Sequence, residues 1–295
     1  MQQDQDSKSV KRYTLLAATT AAFLAPFMGS AINLAVPSIG QQFNSGTLLL
    51  SWVVTSYLLA SVAFLVPFGR LADIRGRKKI FTLGITVFSL ASVLCGLAWS
   101  IEVLIICRAI QGFGSAMIFG TGMAMLTSVF PPQERGRVLG INGAVVYAGL
   151  TLGPVLGGAL THNIGWPSIF FLSALIGFAV LGLTLAKLKG EWLGAADESY
   201  DLRGAVLYTV GIIAFTYGIS TVATSHWARY ILGAGIIILI VFARHELKIP
   251  SPVLQLRLFR HNAVFSFSLL AALINYCATF AVGFILSLFL QVSLG

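Results

Sequence analysis

Nine apolar runs divide this chain, at 13–36, 48–68, 80–99, 103–126, 138–160, 168–188, 205–223, 227–243 and 264–290. About 20 apolar residues in helical form cross the hydrocarbon core of a bilayer. Only helices and closed barrels satisfy all their backbone polar groups there, and runs of this length belong to helices. The eighth run is the shortest. The chain is 57% hydrophobic and 10% charged, against about 25% charged in an ordinary soluble domain. The expected fold class is all-α, a polytopic membrane protein. The first run exceeds the length of a signal-peptide apolar region, and both Asp4 and Asp6 precede it beside Lys8, Lys11 and Arg12. It reads as an uncleaved first span.

Charge gives the orientation. Of the 19 Lys and Arg residues, all but Arg108 and Arg229 fall on one side of the alternating loops. That bias places the N-terminus and this side in the cytoplasm, with a bilayer as the chain's main partner. The net charge of +9 does not indicate nucleic acid, because the cations lie in connections between apolar runs. No Asp, Glu or His falls inside a run, so intramembrane acid–base, metal or nucleophilic chemistry has no constellation to work with, and no phosphate-binding loop supports ATP-driven action. The expectation is a non-enzyme with no metal and no bound cofactor. Cys95, Cys107 and Cys277 lie in apolar runs at no metal-ligand spacing and read as small apolar residues.

Three segments stand out. Gly69-Arg70-Leu71-Ala72-Asp73-Ile74-Arg75-Gly76-Arg77-Lys78-Lys79 places one carboxylate among five cations between two runs. Gly76 permits the reversal of the chain, and Asp73 has ready cationic partners. In the fourth run, Arg108 and Gln111 share a helix face. An arginine at membrane depth costs about 2.5–3.5 kcal/mol on insertion scales, so a polar cavity is expected to receive it, with Asn33 and Tyr57 as neighbours by depth. In the fifth run, Gly149, Gly153 and Gly157 form one face open to close helix approach, and Pro154 removes a backbone donor and bends the helix.

These segments carry a resemblance. The pattern G-x-L-A-D-x-x-G-R-K-K resembles the signature connection between the second and third helices of the major facilitator superfamily. Arg108-Ala109-Ile110-Gln111-Gly112-Phe113-Gly114 resembles its fourth-helix element, and Gly149 to Gly158 its Gly-Pro element associated with exporters. Residues 131–137 and 51–59 are similar to its fourth connection and second helix. Tyr200-Asp201-Leu202-Arg203-Gly204 and the Leu256–Arg260 stretch look like the fourteen-span drug:proton antiporter branch. The resemblance implies a six-helix N-terminal half at 1–188, a cytoplasmic linker at 189–203 and a two-helix insertion at 204–243. A cytoplasmic interfacial segment at 244–263, with Ser251 capping a short helix and Pro252 in its first turn, leads to 264–295, the first helix of an incomplete second half.

It further implies a secondary transporter in the cell membrane, exporting amphipathic small molecules with the proton gradient as the energy source. Asn33, Tyr57, Arg108 and Gln111 would line the substrate cavity. Gly69, Asp73, Arg75, Gly76 and Arg77 would form a conformational latch. One departure weighs against proton coupling: Met28 stands where the family's first helix carries an Asp, although Ser30 keeps a hydroxyl. A facilitator or exporter of a specific, anionic metabolite without proton coupling is the alternative, and a non-transporting fragment is the other.

Overall fold

The computed structural model describes residues 2–222 and 226–294, with side chains at 8–222, 226–259 and 261–278. The described residues form helices joined by short connections. In chain order these are α1 Gln2–Phe43, α2 Thr47–Arg75, α3 Arg77–Gly96, α4 Ile101–Val129, α5 Pro132–Asn163, α6 Pro167–Lys187, α7 Leu202–Thr221, α8 His226–Glu246, α9 Arg257–His261 and α10 Ala263–Leu294. Eight of them, α1 to α8, are long and apolar enough to cross a membrane. The ninth run belongs to α10, but from residue 279 onward its side chains lie outside the described residues; Ala263–Ala278 is apolar.

The helices outrun the apolar stretches. α2 continues through Arg75 and α3 begins at Arg77, so the expected loop 69–79 is two helix ends meeting at Gly76. Gly76 has φ 114° and serves both helices as a cap. A left-handed residue of this kind is cheap only for glycine. At the next turn at this end, Pro132 occupies the first position of α5, where a missing N–H costs nothing. Ser100 caps α4 by accepting from the Val103 N–H at 3.3 Å.

α1 is the spine of the six-helix unit. Its inward face is Ala17, Ala21, Leu24, Phe27, Met28, Ala31, Ile32, Ala35 and Ile39, all buried in the main core. Small residues on that face let α5 come close, as the glycine spacing predicts. A Cβ at Gly149 would stand 2.8 Å from Phe23 O, one at Gly153 1.8 Å from Ser30 Oγ, and one at Gly157 2.7 Å from Ala31 Cβ. At the end opposite the basic connections, Trp166 Nε1 donates to Gln42 Oε1 at 2.7 Å, tying the start of α6 to α1.

α7 and α8 pair with each other through glycines. A Cβ at Gly235 would lie 2.5 Å from Phe215 N and one at Gly218 2.7 Å from Leu232 N. The hairpin leans on α2, where Thr209 donates to Ala63 O at 3.2 Å. The segment after α8 departs from expectation. Ser251 and Pro252 start no helix, and α9 begins only at Arg257. The reason is a competing partner: the Leu254 N–H donates to Glu246 Oε2 at 2.8 Å, and Val253 is buried. This holds the segment against the end of α8.

Candidate functional site

Two sites emerge, one inside the bundle and one at its basic end. The inner site is built on Arg108, which is 0% exposed. Its Nε donates to Val53 O at 2.9 Å on α2, and its Nη1 to Gln111 Oε1 at 2.6 Å one turn along α4. Gln111 passes its own Nε2 hydrogen to Ser92 Oγ on α3 at 2.7 Å, and Ser92 donates to Phe88 O at 2.7 Å. The guanidinium carbon lies 4.2 Å from the centroid of Tyr57 and 5.9 Å from that of Phe170. The negative faces of the rings help hold a charge that no carboxylate among the described residues meets. Tyr57 O–H donates to Ser115 Oγ at 3.0 Å. Gly112 makes this closeness feasible, since a Cβ there would stand 2.3 Å from Tyr57 O.

The structure brings Tyr57, Arg108 and Gln111 together. Within this chain Arg108 is enclosed by α2, α3, α4 and α6. Asn33 is not among its partners: it is exposed on α1 and donates to Gly29 O at 3.4 Å. Residue counting does not give a direction around α1. Met28 is fully buried, and Ser173 O–H donates to its Sδ at 2.8 Å.

At the basic end, Asp73 Oδ1 accepts from Arg77 Nε at 2.8 Å and pairs with Nη2 at 2.7 Å. Arg77 Nη1 donates to Ala124 O at 3.0 Å and to Ser128 Oγ. One guanidinium thus joins the ends of α2, α3 and α4. Arg75 is exposed. Gly69 lies opposite Gly120 of α4, whose Cβ would stand 3.2 Å from the Gly69 Cα, so the two helices nearly touch there.

The partners that sequence reasoning missed lie in the linker. Glu191 Oε1 accepts from Lys78 N at 2.7 Å and Oε2 from Lys79 N at 3.1 Å, a carboxylate on the N-terminus of α3. Helix dipole and free N–H groups both favour an anion there. The backbone follows: Arg77 N donates to Trp192 O, and Gly194 N and Ala195 N both donate to Asp73 O, each at 2.9 Å. Arg70 pairs with Glu198, and Lys78 Nζ donates to Leu188 O. Tyr200 O–H reaches Pro67 O at 3.4 Å, and burial, then the neighbouring Asp201 charge, pushes its phenol up. The sequence marks 189–203 only as a linker and gives its acids no partners.

A bundle of membrane-length helices with an enclosed guanidinium and a clasped basic end is a multi-pass integral membrane protein. The chain belongs to the Major Facilitator Superfamily, whose sequence profile matches residues 18–295. It is 36% identical over 291 residues to the cephamycin export protein CmcT of Amycolatopsis lactamdurans, covering 95% of this chain and 59% of that protein. It is 30% identical over 282 residues to the riboflavin transporter RibZ of Clostridioides difficile, covering 95% of this chain and 61% of that one. With the multidrug resistance protein Stp of Mycobacterium tuberculosis it shares 33% over 255 residues, covering 85% and 47%. The chain thus spans about half to three-fifths of the length of these curated relatives. In fold it is similar to the proton:xylose symporter XylE, with a TM-score of 0.56 at 16% identity over 82% of this chain and 55% of that one. The relatives named here are an export protein, a transporter and a multidrug resistance protein.

Proposed function

We propose that this chain is the N-terminal portion of an exporter of amphipathic small molecules, driven by the proton gradient and of the fourteen-span branch. The observation that carries the reading is the α5 glycine face seated on α1, the element that resembles exporters, with Gly153 allowing no Cβ beside Ser30. Relatives named for cephamycin export and multidrug resistance support it. Arg108, Gln111 and Tyr57 act as a rigid support beneath the transport path, and Asn33 is the member of the predicted set that stands on an open face. In efflux-deficient cells expressing the protein, a fluorescent lipophilic cation should accumulate less, and a protonophore should abolish the difference. Equal accumulation with confirmed membrane expression would overturn the proposal.

A second reading, export of an anionic metabolite without proton coupling, is favoured by Met28. A protonophore-insensitive flux of an anionic dye would select it. The basic end faces the cytoplasm and the N-terminus lies with it. Asn44 and Arg75 are both exposed and lie at opposite ends of α2. A cysteine at Asn44 should label from outside and one at Arg75 should not; the reverse pattern would invert the topology.

A further inference from the structure

Where α7 begins and α8 ends, two carboxyl groups meet. Asp201 is the cap residue of α7, yet its side chain does not cap that helix. It turns to α8, where Oδ2 lies 3.0 Å from His245 Nε2. Glu246, the last residue of α8, is 3% exposed. Its Oε2 accepts from the Leu254 N–H at 2.8 Å, but its Oε1 is buried with no hydrogen-bond partner. Both Asp201 Oδ2 and Glu246 Oε1 crowd one point: a Cβ on Gly204 would stand 2.1 Å from the first and 2.3 Å from the second. Only glycine leaves room for the two oxygens.

Two carboxylates at this separation do not both stay ionised when shielded from water. The helix ends decide which one holds a proton. Asp201 stands at an N-terminus, where negative charge is favoured; Glu246 stands at a C-terminus, where it is disfavoured. We infer that Asp201, His245 and Glu246 form a proton-binding site, in which Glu246 Oε1 holds a proton and donates it to Asp201 Oδ2. His245, protonated at Nε2, donates to the same oxygen. This satisfies the orphaned Oε1 and leaves one negative charge shared by two donors.

Among the described residues, the nearby cations are exposed or donate to backbone carbonyls. Tyr200 adjoins Asp201 in the chain. Arg203, Arg244 and Lys248 are exposed. Arg257 and His261 line, together with Glu246, a cavity of about 290 Å³. The first donates from Nη2 to Leu247 O at 2.9 Å, and His261 Nδ1 lies 2.9 Å from Arg257 O. Leu254 hangs on the other oxygen of the same carboxyl group, so the site also joins the segment leading to α9 and α10 to the α7–α8 hairpin. The inference stands apart from what is exported and from what drives it.

The test is infrared spectroscopy of the purified chain in lipid nanodiscs at neutral pH. A protonated-carboxyl C=O band should be present, and it should be lost in Glu246→Gln and in Asp201→Asn, whose amide relieves the pairing and lets Glu246 ionise. Thermal unfolding gives a second readout. Unfolded, a glutamyl group releases its proton near pH 4.3, so the folded chain binds the extra proton above that pH. Stability of the wild type should then fall as pH rises from about 5 to 8, and Glu246→Gln should fall less. No carboxyl band in the wild type would overturn the site. So would a band that persists in the folded variants. If Glu246→Gln fails to fold, Asp201→Asn and the wild-type band still decide.

Discussion

Arg108 inside the bundle is met by Val53 O, Gln111 and two aromatic faces, all neutral, whereas Arg77 at the basic end is met by the Asp73 carboxylate. The contrast follows from solvation. A buried ion pair must recover the desolvation of two ions, while a buried single charge need recover only one if dipoles and π faces surround it. At the membrane edge, water screens the charges and an ion pair is inexpensive to make and to break. The inner arginine therefore suits a fixed strut, and the outer one suits a contact that exchanges during a conformational cycle.

Substitutions at five positions break or sharpen this contrast. Arg108→Ala should have the largest effect, about 3 kcal/mol of lost stability from the cavity and from the acceptors left unmet at Val53 and Gln111. Thermal unfolding in nanodiscs reads it. Arg108→Lys should fall short as well, because Lys lacks the planar fork that reaches two acceptors while stacking on Tyr57. A wild-type melting curve for Arg108→Met would show that the arginine is retained for transport and not for the fold.

Next, Gly112→Ala should cost about 1–3 kcal/mol by pushing α2 off α4, since Tyr57 O stands 2.3 Å from the added methyl. Gly122→Ala, on the same helix with nothing within 4 Å of the added carbon, should be neutral or stabilising by up to about 1 kcal/mol. Equal outcomes for the two would mean that close approach of α2 and α4 does not set the geometry around Arg108.

Asp73→Asn should change stability by at most about 1 kcal/mol, because the pair with Arg77 is partly exposed. Transport should nonetheless drop with membrane insertion unchanged. Wild-type flux would reduce the basic end to a topology signal. The smallest effect belongs to Lys11→Ala, which removes the exposed pair with Glu134 at 2.9 Å. About 0.2–1 kcal/mol is expected, shrinking as salt is raised.

Much of this architecture was legible in the sequence, and the reasons are local. Apolar length reports helices because the bilayer demands it, and Arg108–Gln111 and Gly149–Gly153–Gly157 follow from helical spacing. What escaped was direction and distance. Asn33 stands exposed on α1; residue counting estimates depth, and depth alone carries no azimuth. Glu191 sits 113 positions from Lys78, whose N–H it accepts; no periodic pattern connects residues so far apart. Helix length was also misjudged: α2 continues to Arg75 because its polar end is still hydrogen-bonded, with Gly76 N donating to Ala72 O at 2.9 Å. Ser251 had a cap signature, but Leu254 found a better acceptor in Glu246.

The single residue between α2 and α3 has a mechanical consequence. Gly76 is the whole connection between a 29-residue and a 20-residue helix, so their relative motion is reduced to two torsion angles. There is no slack to absorb a tilt of either rod, and Glu191 further seats the second rod at its tip. Any tilt of one helix relative to the other must therefore be taken up at those two torsions.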